Sequence, residues 1–303
     1  MDSFSGPSLK QEIPQRIHSR SLQIRNREHR FGVDAEAGKG FLPAGGRLDN
    51  FLRRELVRFY RQWSRIIGSL ATPLLFWLFL GSGLGTALPE LHTPGGGGYL
   101  EYFFPGILVL TLLFTSIFSN LSLIEDRHEG FLQSVLVAPI SRLSMVGGKV
   151  IGGTLLAFSQ GLLFLCLAPL AGFPLTLASF LMTSLAMVLI GLTLTAIGFL
   201  FAWKLDSVQG FHSIMNVLLM PMWLLSGAFF PVQKAPLWLR PLMYLDPLTY
   251  GYIALKRALY GENGGSFVGP SFALSAWVTL GFGSLFWALS YWVVAQRTKE
   301  FAT

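Results

Sequence analysis

Five stretches of the chain run for more than 20 residues without one charged side chain: 66–89, 102–124, 150–203, 207–233 and 263–296. An α-helix crosses the hydrocarbon core of a bilayer with about 20 apolar residues, because each residue advances the axis by about 1.5 Å. An open backbone at that depth leaves N–H and C=O groups without partners, so the pattern calls for spanning helices. The third stretch, 54 residues, is too long for one crossing. Ala168-Pro169-Leu170-Ala171-Gly172-Phe173-Pro174 divides it, since proline removes a helix donor and glycine admits turn conformations. Six spans follow, at about 66–86, 102–124, 150–169, 176–202, 210–230 and 272–294.

Composition agrees. Apolar residues make up 52% and charged residues 13% of the chain, about half the charged share of a soluble domain. The single cysteine, Cys166, excludes an intrachain disulfide and any multi-cysteine metal site. An even number of spans puts both termini on one side. The N-terminal segment, the 125–149 connection, Lys204 and the C-terminal tail hold 19 of the 23 Lys and Arg residues. The opposite connections hold Lys234, Arg240, Lys256 and Arg257. Basic residues concentrate on the cytoplasmic side, so both termini are expected there. The membrane expected is a plasma membrane of the bacterial inner-membrane kind. The net charge of +7 is thereby assigned to anionic lipid headgroups and not to nucleic acid.

Residues 1–46 are polar, with no sustained period, and are expected to form a disordered basic cytoplasmic tail, with the membrane domain occupying 47–303. No cleavable signal peptide is apparent. From Leu48 to Arg65, Leu48, Phe51, Leu52, Leu56, Phe59, Tyr60 and Trp63 recur at helical spacing with arginines between them. That is an amphipathic helix suited to the headgroup plane. Before the last span, prolines and aromatic residues between Pro231 and Glu262 suggest short external helices, one over 248–260, that can re-enter the bilayer where protein covers their backbone. The expected fold is an all-α integral membrane protein of six spans with these two additions.

The chemistry the sequence lacks is informative. Gly147-Gly148-Lys149-Val150 is the nearest echo of a phosphate-binding P-loop, and it lacks both the first glycine and the Ser/Thr that would hold magnesium. No paired metal ligands and no Gly-x-Ser-x-Gly elbow occur, so no catalytic residue, cofactor or metal is assigned. The spans carry essentially no ionisable residue at mid-depth, which argues against an ion-coupled carrier or a selective channel. What stands out is a charged seam: Glu125-Asp126-Arg127-His128-Glu129-Gly130, then Pro139, then Lys149 at the opening of the third span.

The order of parts, this seam, and Ser226-Gly227-x2-Phe230-Pro231 followed by Pro236-x-Trp238-Leu239 and Asp246-Pro247-Leu248-Thr249-Tyr250 resemble the membrane permeases of ABC-2 type exporters. The resemblance covers about Leu48 to the C-terminus. The family more often has Asn where this chain has Asp246, and Gly-Thr where it has Gly130-Phe131. The resemblance implies a non-catalytic subunit that pairs with a second permease copy and docks a separate cytoplasmic ATPase. It implies that Glu125, Asp126, Arg127, Glu129, Gly130, Pro139 and Lys149 couple to that ATPase. It also implies a pathway lined by spans two and five; in the fifth, Met215, Met220, Met222 and Trp223 are candidate lining whose adaptable apolar surface suits an amphiphilic cargo, with ordinary helix packing as the alternative. A membrane scaffold, or an integral-membrane enzyme acting on lipids, is the alternative.

Overall fold

The computed structural model describes residues 63–87, 98–128, 142–261 and 269–300. The expected tail over 1–46 lies outside them, as does nearly all of the amphipathic stretch. Every regular element among the described residues is helical. The long helices are α1 (Trp63–Ala87), α2 (Gly98–His128), α3 (Arg142–Leu165), α4 (Leu177–Lys204) and α5 (Val208–Trp223). Two short helices, α6 (Arg240–Leu245) and α7 (Pro247–Tyr260), precede the last long helix, α8 (Phe272–Glu300).

Five helices are long and apolar enough to cross a membrane: α2, α3, α4, α8, and α5 with its continuation to Ala228. The first expected span falls on α1, whose apolar part is the shorter stretch Leu70–Gly83. The seam also differs from expectation. It was expected as a 25-residue connection from Glu125 to Lys149, but α2 continues to His128 and α3 already begins at Arg142. Charge marks where a span leaves lipid; it does not end a helix, whose backbone bonds continue into water.

Local signals explain the remaining boundaries. A 3₁₀ turn at Ala168–Ala171 closes on Gly172 in the left-handed region, φ +93°, at the expected division between α3 and α4. The Thr176 hydroxyl caps α4 by accepting from Ser179 N–H, and Ser207 caps α5 by accepting from Gly210 N–H.

The bundle is built around α2, which packs against α1, α3, α4 and α5, while α8 lies on α4 and α7. Phe103, Phe104, Ile107 and Leu108 of α2 are fully buried. The outer surfaces stay apolar: Phe79 on α1, Val217 on α5 and Trp277 on α8 are each at least 69% exposed. Such a surface is a liability in water and natural in lipid.

Pro105 interrupts the backbone bonding of α2 without opening the bundle. It cannot donate to the carbonyl of Glu101, one turn earlier. The Tyr260 hydroxyl donates to that oxygen instead, at 3.2 Å. Trp77 Nε1 donates to the neighbouring Leu100 carbonyl at 3.0 Å, and Trp223 Nε1 to the Gly106 carbonyl at 2.8 Å. Thus α1, α5 and α7 each send one aromatic donor to the proline region of α2. This is how a membrane helix tolerates proline.

The start of α7 carries its own cap. Asp246 Oδ1 accepts from Leu248 N–H at 3.0 Å, and Oδ2 accepts from the Thr249 hydroxyl at 3.3 Å. Burial pushes the carboxyl up to about 7, against the two hydrogen bonds that favour the carboxylate. With the folded value above an unfolded value of about 4, the folded chain holds this proton more tightly. Stability is therefore expected to fall as pH rises from about 4 to about 7, and to stay level above. Asp246→Asn keeps the cap without the charge and should remove that pH dependence, melting higher than the parent at pH 8. Asp246→Ala should lose the same pH dependence and lie about 1 kcal/mol below Asp246→Asn at any pH. Melting curves across pH in detergent check both.

Candidate functional site

The seam charges converge where α2 ends, beside α3 and the α4–α5 junction. Lys149, in the second turn of α3, places Nζ 2.8 Å from Asp126 Oδ2 and 3.0 Å from the Ser122 hydroxyl. Both charged side chains are buried, 7% and 1% exposed. The pair ties the last turn of α2 to the start of α3, so the chain leaving at His128 and returning at Arg142 is held at both ends.

Arg127 points the other way, to the C-terminus of α4. The last carbonyls of a helix have no partners within it, and a guanidinium supplies several donors in a fixed fork. Arg127 donates to the carbonyls of Trp203, Ala202 (3.5 Å) and Leu205 (3.1 Å), and to Asp206 Oδ1 at 2.8 Å. Its guanidinium also lies over the Trp203 ring, 5.6 Å from the centroid. His128 adds a bond from Nε2 to the Asp206 carbonyl, 2.6 Å. The Asp206 side chain is 78% exposed, so its ion pair contributes little and the carbonyl bonds dominate. Arg127→Gln is expected to lower stability by about 2 kcal/mol, with Arg127→Lys recovering only part because a single ammonium cannot span the fork. Thermal melts of the purified chain read this directly.

A buried polar ladder extends the site along α2. Thr111, Thr115, Ser119, Ser122 and Asp126 recur every three or four residues and are all buried or nearly so. The Thr115 hydroxyl is 2.8 Å from Gln160 Oε1 on α3, and Asn120 Nδ2 donates to the Thr195 carbonyl on α4 at 3.3 Å. Glycines opposite let the helices close on this ladder. A Cβ on Gly153 would lie 2.6 Å from Ser119 Oγ and 2.5 Å from Thr195 Cγ2; one on Gly198 would lie 2.4 Å from Asn120 Nδ2. Small residues opposite hydrogen-bonding side chains are how helices associate in lipid.

Of the expected coupling residues, the structure brings Asp126, Arg127 and Lys149 together within the subunit, and Glu125 sits beside them, half-buried. Glu129, Gly130 and Pro139 lie outside the described residues. On α5, Met215 and Trp223 are buried in the subunit's own core, and Met220 and Met222 are partly exposed. The role of Arg127 as a cap for α4, and its partner Asp206, were not foreseen. Nor was the ladder, although polar residues at helical spacing inside a charge-free window are a visible signal.

The ABC-2 type transporter family model matches residues 50–260, more than half of the chain. The chain is 32% identical over 228 residues to ycf38 of Cyanophora paradoxa, whose name describes a transport permease, with 74% of this chain and 77% of that protein covered. It is 30% identical over 150 residues to YbhR of Escherichia coli strain K12, named for a multidrug ABC transporter permease, covering 48% of this chain and 39% of that protein. It is 22% identical over 241 residues to the daunorubicin resistance ABC transporter permease protein DrrB1 of Streptomyces coeruleorubidus, covering 77% and 82%. With apolar helices long enough to cross a bilayer and a family match over this seam, the chain belongs to the ABC-2 type transporter family and is a multi-pass membrane permease.

Proposed function

We propose that the chain is the membrane half of an ATP-driven exporter. Two copies pair to form the route, and each docks a separate cytoplasmic ATPase against the segment between α2 and α3. In this reading α1 completes six spans, both termini face the cytoplasm of a bacterial inner membrane, and α6 and α7 lie on the external side. The cargo is amphiphilic, a drug, lipid or glycolipid, in keeping with the names of two relatives, one a multidrug permease and one a daunorubicin resistance permease.

The observation that carries the reading is the anchoring of the seam. Asp126–Lys149 fastens its two ends to each other, and Arg127 fastens it to the end of α4. A push on the segment from 129 to 141 is thereby delivered to three helices at once. A loop serving only as a tether has no need of a buried ion pair. The absence of a P-loop in the sequence makes an external energy source necessary.

Affinity purification of the full chain from its native membrane tests this. A second protein bearing a Walker A motif should co-purify in equal amount, and the complex should hydrolyse ATP. Recovery of the intact chain without any ATPase refutes the exporter and leaves the scaffold; turnover of lipid by the chain alone supports the enzyme.

A further inference from the structure

The outward face of α5 does not suit acyl chains. Its inward face is apolar and regular: Phe211, Met215, Leu219 and Trp223, each four residues from the next, are buried in the bundle. Gln209, His212, Ser213 and Asn216 also recur at spacings of three and four, so they share a different face. Gln209, Ser213 and Asn216 are exposed, and His212 is partly so. Asn216 stands about 12 Å along a helix whose spanning stretch has 21 residues, which is hydrocarbon depth. The Ser213 hydroxyl is satisfied locally, donating to the Gln209 carbonyl at 3.0 Å. The Asn216 amide has no hydrogen-bond partner among the described residues. An amide without partners is strongly disfavoured in hydrocarbon, so this face meets something polar.

The apolar complement lies beside it on α2. Over residues 103–124 that helix is buried at every position except Phe114 and Phe118. Their rings are nearly parallel, 23° apart with centroids at 6.5 Å, and the Phe118 ring meets the His212 ring at 5.9 Å. Neighbouring helices wrap the rest of α2, so these two rings open at the floor of a groove whose wall is the polar face of α5. The polar face begins in the first turn of α5, so water can follow it inward from the membrane edge. None of its four side chains is permanently charged.

Hydrogen-bonding groups without charge, set beside two aromatic rings, match a molecule with an uncharged polar head and an apolar body. We propose that Phe114 and Phe118 with Gln209, His212 and Asn216 form the groove that binds the cargo, and that the cargo is an amphiphile with an uncharged, hydroxyl-rich head of the sugar or polyol kind. The groove deepens the exporter reading and rests on it for the bound molecule being cargo. A charged head would give up its water there without gaining a counter-ion. Met215 and Trp223, buried in the subunit's own core, drop out of the lining. A second copy closing on this face needs only a pair of amides, whereas a polar face running out to the helix end is what a wet groove requires.

The test uses the full chain in phosphatidylcholine nanodiscs, with Cys166→Ser removing the exposed native thiol. Asn216→Cys is compared with Val217→Cys, its neighbour on the apolar side, where the valine is 77% exposed. A charged, membrane-impermeant thiol reagent should label position 216 at least tenfold faster than position 217. Decyl glucoside should slow labelling at 216 at least fivefold; decyltrimethylammonium, with the same tail and a cationic head, should not. Phe118→Ala should abolish that protection and leave the unprotected rate unchanged. Ser213→Cys repeats the measurement nearer the helix start, so the test survives if Asn216→Cys fails to fold. Equal labelling at 216 and 217 overturns the proposal, as does absent protection by decyl glucoside or equal protection by the cation. A disulfide-linked dimer of Asn216→Cys in place of labelled chain overturns it too, because a second copy then covers the face. An exporter whose ATPase co-purifies can fail this test and a chain that retains no ATPase can pass it, so the two failures are distinct.

Discussion

Lys149→Met, with Asp126 left in place, is expected to destabilise the chain by about 3–5 kcal/mol and to deplete it from the membrane. The carboxylate is 1% exposed and loses the ammonium 2.8 Å away, so it must either ionise in a poorly solvated site or take up a proton. Asp126→Leu should cost a similar amount for the same reason, leaving the ammonium buried. The two together should cost much less than either, because an apolar pair removes both desolvation penalties at once. A double-mutant cycle by melting in detergent should return a coupling of about 3 kcal/mol. Additive losses would mean that the two charges do not stabilise each other and that the seam is not anchored as described.

Gly153→Leu is the second large effect. Even a single carbon at Gly153 meets Ser119 and Thr195 at 2.6 Å and 2.5 Å, so α2, α3 and α4 approach closely there. Three more carbons must part the helices and detach the polar ladder, so folded protein should be lost, while Gly153→Ala should cost about 1–3 kcal/mol. Gly191 supplies the contrast. A Cβ there meets Thr154 and Ala157 at ordinary contact, 3.5 Å. Gly191→Ala should be neutral, or stabilising by up to about 1 kcal/mol through helix propensity. Expression level and melting temperature of the three variants decide whether close approach, and not glycine content, sets the packing.

Much of the fold was legible because lipid makes a severe demand on sequence. Uninterrupted apolar length located α2, α4, α5 and α8 to within a few residues at most of their ends, and Pro169 with Gly172 marked the break between α3 and α4. The caps at Thr176, Ser207 and Asp246 were not foreseen, although a Ser, Thr or Asp just ahead of an apolar run is a visible local signal. Helix ends beyond the bilayer were not legible: Arg142 to Lys149 looks like connection because it is charged and glycine-rich, yet it is two turns of α3. The site was legible as a cluster and not as a geometry. Glu125, Asp126, Arg127 and Lys149 stand out by charge. That Lys149 turns to Asp126 and Arg127 to the carbonyls at the end of α4 depends on which faces of α2 meet α3 and α4. One-dimensional spacing does not carry that.

The same gap bears on the role expected of the seam. Asp126 and Arg127 were expected to meet the ATPase, but both are engaged inside the subunit, where they brace the segment that follows. In the proposed exporter, contact with the ATPase is assigned to residues beyond the brace, Glu129 foremost.

Glu129→Lys tests this most directly. The variant and the parent are expressed at equal level in the native membrane, and the ATPase retained on each purified chain is measured together with the ATP hydrolysis it supports. Membrane content and melting temperature should be unchanged, with at least a tenfold loss of bound ATPase or of coupled activity. Full retention of the ATPase with parental activity would contradict that contact.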